Sequence, residues 1–134
     1  AAAGQHRLSP AASVAAAAVR LRQLFGRLIG NSDMHAGNLS FVSGHGRPYA
    51  LAPAYDMLPM AFAPRSGGGL PDQLQPLELH PGVAHEVWPA MLALARDYLS
   101  RLEADERLSA NFTSCLQALA VHLDEAARRI DRLG

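Results

Sequence analysis

The middle of this sequence breaks regular structure more firmly than any other feature. Between residues 57 and 85, prolines fall at 59, 64, 71, 76 and 81, beside the run Ser66-Gly67-Gly68-Gly69. Proline locks φ and lacks an amide hydrogen, while consecutive glycines are costly to order. No long helix or central strand crosses such a stretch, so it is expected to form an irregular, partly mobile loop. Met57, Met60 and Phe62 are the residues at its start suited to plug a core.

On either side of that loop, apolar residues recur at helical spacing. Ser9-Pro10 is a helix-start signal, because serine caps well and proline is tolerated at the first helical position. Val14, Ala18, Leu21, Phe25 and Leu28 then repeat along one face, and Gly30 is a natural stop. The spacing predicts one amphipathic helix over 10–29, bent near Gly26. At the other end, Trp88, Met91, Leu92, Ala95, Leu99 and Leu102 form one stripe. Phe112, Leu116, Leu119, Leu123, Ala126, Ile130 and Leu133 form a second. Asp124, Glu125, Arg128 and Arg129 fall mostly on the opposite face, and Cys115 lies near the apolar side as a small buried hydrophobe. Two closing helices within 86–133 follow from this. Leu39–Ser43 and Tyr49–Ala52 are short strand candidates, and Gly44-His45-Gly46-Arg47-Pro48 between them has hairpin composition. The expected fold is one domain over 1–134, mainly α with a small β-hairpin at 39–52.

Bulk properties narrow the function classes. The formal net charge is zero, so nothing in it asks for nucleic acid or an anionic membrane. The lone Cys115 excludes an internal disulfide and a cysteine zinc site, and leans towards a reducing, cytoplasmic setting. Asn111-Phe112-Thr113 spells a glycosylation acceptor without a secretory context to use it. The alanine-rich opening lacks the order of a signal peptide, and no apolar run reaches roughly 18 residues. Since the first residue is alanine, the simplest reading is a piece of a longer soluble protein. His45, His80, His85 and His122 lack paired ligand spacing, which favours surface or structural roles.

One polar stretch, GNSDMHAGNLSF at 30–41, interrupts these apolar patterns at the end of the first helix. Asp33 and Asn38 lie five apart within it, and Asp56 follows the hairpin that it feeds. A tight hairpin returns its exit near its entrance, so Asp56 can face Asn38. A loop bearing Asp and Asn, then a hairpin, then a second Asp suits phosphoryl transfer. One carboxylate orients the attacking hydroxyl, while an amide oxygen and the other carboxylate hold magnesium on nucleotide phosphates. Turns also favour Asp and Asn, so the loop alone reads first as a capping and turn pair; Asp56 shifts the balance. Asn31 and Ser32 read as turn residues, and Tyr55 as a packing residue that fixes Asp56.

GNSDMHAGNLSF followed by LAPAYDMLPM resembles the C-terminal lobe of HipA-type serine/threonine kinases, the toxin family of bacterial toxin–antitoxin modules. Its loop pattern, Gly-x-x-Asp-x-His-x-x-Asn, is followed there by a hairpin and a Pro-x-Tyr-Asp segment. The resemblance is tight over 28–60 and loose over both terminal helices. It implies that Asp33 is the catalytic aspartate and that Asn38 and Asp56 bind magnesium. His35 stands where many kinases place a lysine and would touch the transferred phosphate of ATP; a bracing role in the turn is the alternative. Met57-Leu58 replace the Phe-Gly of ordinary kinases. Gly37 departs from members that carry lysine there, so this loop lacks that charge. The resemblance further implies a serine/threonine protein substrate and a DNA-binding antitoxin partner, without nucleic-acid binding by this chain. A kinase lobe of this type has its Gly-rich loop, strand lysine and adenine hinge elsewhere, so this chain alone is expected to bind ATP poorly and transfer little phosphate. The competing readings are an aminoglycoside- or choline-kinase-like small-molecule phosphotransferase and a non-catalytic partner-binding module. A metal-dependent hydrolase using Asp33, His35 and Asp56 is the remaining one. Asn31 counts against the small-molecule kinases, which usually carry histidine at that position.

Overall fold

The computed structural model describes residues 10–47, 49–67, 69, 79, 82–83 and 85–133. Ser9, His80 and residues 70–78 of the proline-rich loop lie outside the described residues. Helix α1 spans Pro10–Ile29, and a two-stranded sheet pairs β1 (Phe41–Val42) with β2 (Ala50–Leu51). Helices α2 (Val87–Glu103) and α3 (Thr113–Asp131) close the chain. Short 3₁₀ turns lie at Ala36–Asn38, Met60–Phe62 and Ala110–Phe112. The described fold is therefore mainly helical with one small antiparallel sheet.

Helix α1 ends where glycine permits it to. Gly30 has φ +75°, in the left-handed region, and two backbone bonds close the last turn. The Gly30 amide donates to the Arg27 carbonyl at 3.2 Å, and the Asn31 amide to the Gly26 carbonyl at 2.8 Å. This pair of crossed bonds is a Schellman motif, which satisfies carbonyls the helix would otherwise leave open.

The three helices share one core. Leu24, Leu28 and Ile29 of α1 pack with Trp88, Met91, Ala95 and Leu99 of α2. From α3 come Cys115, Leu119, Leu123, Ala126 and Ile130. Of the expected methionine–phenylalanine plug, Phe62 does most: it is 1% exposed, whereas Met57 is only partly buried. Burying such a ring contributes about 1.5–3 kcal/mol.

The buried face of α1 differs from the expected stripe. Val14 is 71% exposed and Leu21 40% exposed, while burial is confined to residues 24–29. Of the expected stripe only Leu28 is fully buried, with Phe25 packed partly buried against the core, while Leu24 and Ile29, outside the stripe, join that core. Leu133 likewise lies beyond the end of α3 and is exposed. The strands are shorter than expected, two residues each, with Phe41 opposite Leu51 and Val42 opposite Ala50. Both β1 residues face solvent and only one partner strand is present in the sheet, so little burial rewards a longer ladder.

Candidate active site

The loop after α1 is organised around one buried polar side chain. Asn31 is 7% exposed and sits directly beyond the helix-ending glycine. Its Oδ1 accepts from the Asp33 amide at 3.0 Å, an Asx-type turn. Its Nδ2 donates to the Asp56 backbone carbonyl at 2.8 Å, across a separation of 25 residues. One amide side chain thus ties both aspartate-bearing segments to the end of α1. Both of its polar ends are satisfied, as a buried amide requires.

Further bonds brace the loop from the other side. The Asn38 Nδ2 donates to the Asp33 carbonyl at 2.8 Å, so the five-residue spacing closes on itself. The Tyr55 hydroxyl donates to the Gly37 carbonyl at 2.9 Å. Its single proton being used there, the Ser40 hydroxyl at 2.9 Å donates to the tyrosine oxygen. Tyr55 therefore holds the loop through its hydroxyl and is itself 37% exposed, rather than acting through packing alone. Ala61 adds a backbone bond to the Gly30 carbonyl at 2.8 Å, which joins the segment after Asp56 to the helix end.

Apart from the Asn38 Nδ2, the candidate side-chain groups take no part in these braces. Asp33 is exposed, and among the described residues its carboxylate has only the His35 Nε2 near it as a charge partner, at 3.9 Å. The His35 Nδ1 accepts from the Gly37 amide at 3.0 Å, so the neutral ring carries its proton on Nε2, the nitrogen facing Asp33. The Asn38 Oδ1 and the Asp56 carboxylate accept no hydrogen bond among the described residues. Asp56 is also the one described non-glycine residue at positive φ, 52°. Aspartate tolerates that region better than most residues, yet such conformations persist only when surrounding contacts impose them. Here the contact is the Asn31 bond to its carbonyl.

The structure ties the segments bearing the four candidates together but does not place them in one cavity. His35 and Asn38 line a cleft of about 360 Å³ against α1. Asp56 lines a neighbouring, more apolar groove of about 640 Å³ between α1 and α2. Arg22, Ala54, Tyr55 and Met57 border both, and Asp33 borders neither. Among the described residues, no three His, Cys, Asp or Glu gather closely enough to hold a metal ion. The donor chemistry still suits magnesium, which takes hard oxygen ligands and is held by one or two protein groups together with substrate phosphates. A free amide oxygen on Asn38 and a free carboxylate on Asp56 are such donors.

Sequence reasoning passed over the bridging role of Asn31 and the cleft-lining position of Arg22. An asparagine directly after a helix-ending glycine signals a turn, but nothing local shows that its other end reaches residue 56. Among the described residues, no helix is long and apolar enough to cross a membrane.

Comparison with known proteins identifies the family. The family model described as HipA-like C-terminal domain matches residues 2–131. The chain is 39% identical over 110 residues to Toxin YjjJ of Escherichia coli (strain K12), an alignment covering 82% of this chain. The chain spans about a quarter of that relative, 25% of its length. No solved structure matches it. With a match over nearly its whole length, the chain belongs to the family of HipA-like C-terminal domains.

Proposed function

We propose that this chain is the catalytic-loop part of a HipA-family serine/threonine protein kinase, with a fold corresponding to a kinase C-terminal lobe. The observation that carries the reading is the Asn31 side chain, whose two ends hold the Asp33 and Asp56 segments in one frame. One buried amide thus fixes the backbone at two exposed aspartates on separate segments.

In this reading Asp33 accepts a hydrogen bond from the substrate hydroxyl, orients it and takes its proton as phosphate transfer proceeds. Its backbone is pinned at the amide by Asn31 and at the carbonyl by Asn38, so its exposed side chain works from a fixed base. His35 offers the Nε2 proton to a phosphoryl oxygen, with its ring oriented by the Gly37 amide. Asn38 and Asp56 would hold magnesium, and ATP–magnesium, when bound, would supply the phosphoryl group and the charge neutralisation. Regions of the protein outside this chain cover the nucleotide, and a DNA-binding antitoxin is its partner.

Replacing Asp33 with asparagine in the full-length protein is the direct test. Phosphate transfer to protein serine or threonine should disappear while circular dichroism and melting stay at the parent values. Retained autophosphorylation in a folded Asp33→Asn protein overturns the assignment.

A further inference from the structure

The loop 30–38 contains no lysine or arginine, yet a cleft beside it is strongly cationic. Arg22 and Arg27 of α1 line the cleft together with His35, and no aspartate or glutamate lines it. Arginine stays protonated at any working pH, so the cleft carries two fixed positive charges without a carboxylate among its walls. The Arg22 Nη2 is anchored to the Ala52 carbonyl at 2.5 Å. The Nη1 of the same group is out of solvent reach and has no hydrogen-bond partner among the described residues. A buried donor left unmatched costs about 1–3 kcal/mol, and more when charged. Arg22 borders the cleft, so a small turn of its guanidinium would bring this unmatched donor to an acceptor bound there.

We propose that this cleft is a binding site for a phosphoryl group, with Arg22 as its anchored donor. Arg27 supplies a second charge, and the His35 Nε2 offers a donor from the loop side. Donors approaching from helix and loop suit a tetrahedral dianion better than a planar carboxylate, which one guanidinium fork satisfies alone. A volume of about 360 Å³ admits a phosphate with a short substituent. The site shares Asn38 as a wall with the oxygen donors Asn38 and Asp56, but those call for a cation whereas Arg22, Arg27 and His35 call for an anion. It stands on the cleft itself and does not require that Asp33 transfer phosphate.

Isothermal titration of the full-length protein with inorganic phosphate and with O-phosphoserine, in EDTA and without nucleotide, tests the site. Tighter binding of phosphoserine assigns a phosphorylated side chain as the ligand, and tighter binding of inorganic phosphate assigns the free ion. In either case Arg22→Met should weaken binding at least tenfold and Arg27→Gln about threefold, with Arg22→Lys recovering part of the loss. Arg27 is exposed, so its variant reports on the cleft even if Arg22→Met fails to fold. Absence of binding, equal binding by folded Arg22→Met and parent, or acetate binding as tightly as phosphate, each overturns the proposal. Since metal and nucleotide are excluded, the titration reads the cleft and not phosphate transfer.

Discussion

Gly30→Ala should be among the most damaging single-methyl changes available to this protein, and its cost can be worked from two separate sources. The first is the backbone: at φ +75° an L-residue with a Cβ costs about 1–2 kcal/mol relative to glycine. The second is space. A Cβ at Gly30 would stand 2.4 Å from the Phe62 Cε2, 3.0 Å from its Cδ2 and 3.2 Å from the Ala61 Cβ. Phe62 is 1% exposed, so its ring has nowhere to retreat without disturbing the shared core. Overpacking of this kind costs about 1–3 kcal/mol. Together the loss is about 2–5 kcal/mol, which for a domain of this length lowers Tm by roughly 6–20 °C. Urea denaturation of Gly30→Ala, Phe62→Leu and the double variant separates the contributions. The smaller side chain of Phe62→Leu gives the new methyl room, so the double variant should lose about 1 kcal/mol less than the sum of the singles. A Gly30→Ala protein within about 0.5 kcal/mol of the parent refutes both the left-handed cap and the ring contact.

Three other perturbations probe neighbouring parts of the same frame. Gly26→Ala, a change that normally stabilises a helix by about 0.5–1 kcal/mol, should here be neutral or destabilising in thermal melts. The added Cβ would meet the Met34 Sδ at 1.9 Å, and a clear rise in Tm would show that Met34 does not rest on that glycine. Asn31→Asp keeps an acceptor for the Asp33 amide but removes the donor to the Asp56 carbonyl and buries a charge, costing about 1–3 kcal/mol at neutral pH. Unchanged urea stability, together with unchanged amide exchange at Met57, would remove Asn31 as the bridge. His122, in edge contact with Phe62 at 5.2 Å, sets a pH dependence. Burial pushes its pKa down and the Arg129 charge adds to that, against the pull of the Arg27 and Leu28 backbone. A depressed histidine favours the neutral form in the fold, so its contribution is complete above the ordinary value near 6.5 and is lost as pH falls below it. Urea midpoints at pH 8, 7, 6 and 5 should fall more steeply for the parent than for His122→Leu; parallel slopes would contradict this.

What could be read from the sequence follows from how far each signal reaches along the chain. Pro10 and Gly30 bound α1 because both act through their own backbone, and each needs only its neighbours to be interpreted. The stripes of α2 and α3 hold for the same local reason, with Trp88, Met91, Ala95 and Leu99 buried at helical spacing. Failure begins where an answer depends on what another element covers. Val14 and Leu21 fit an apolar face, but only the last turns of α1 meet α2 and α3, so burial moves to Leu24, Leu28 and Ile29. The site divides in the same way. Asp33 and Asn38 announce a turn by their spacing, and the bond from the Asn38 side chain back to the Asp33 carbonyl is local. The bond from Asn31 to residue 56 is not local, and neither is the bond from Arg22, which borders both clefts, to the Ala52 carbonyl. Asn31 belongs at once to the helix cap, the Asx turn and the second aspartate segment, so any change in how α1 ends is transmitted to both carboxylates. That makes the α1 terminus, more than either aspartate taken alone, the element on which the geometry of the proposed site depends.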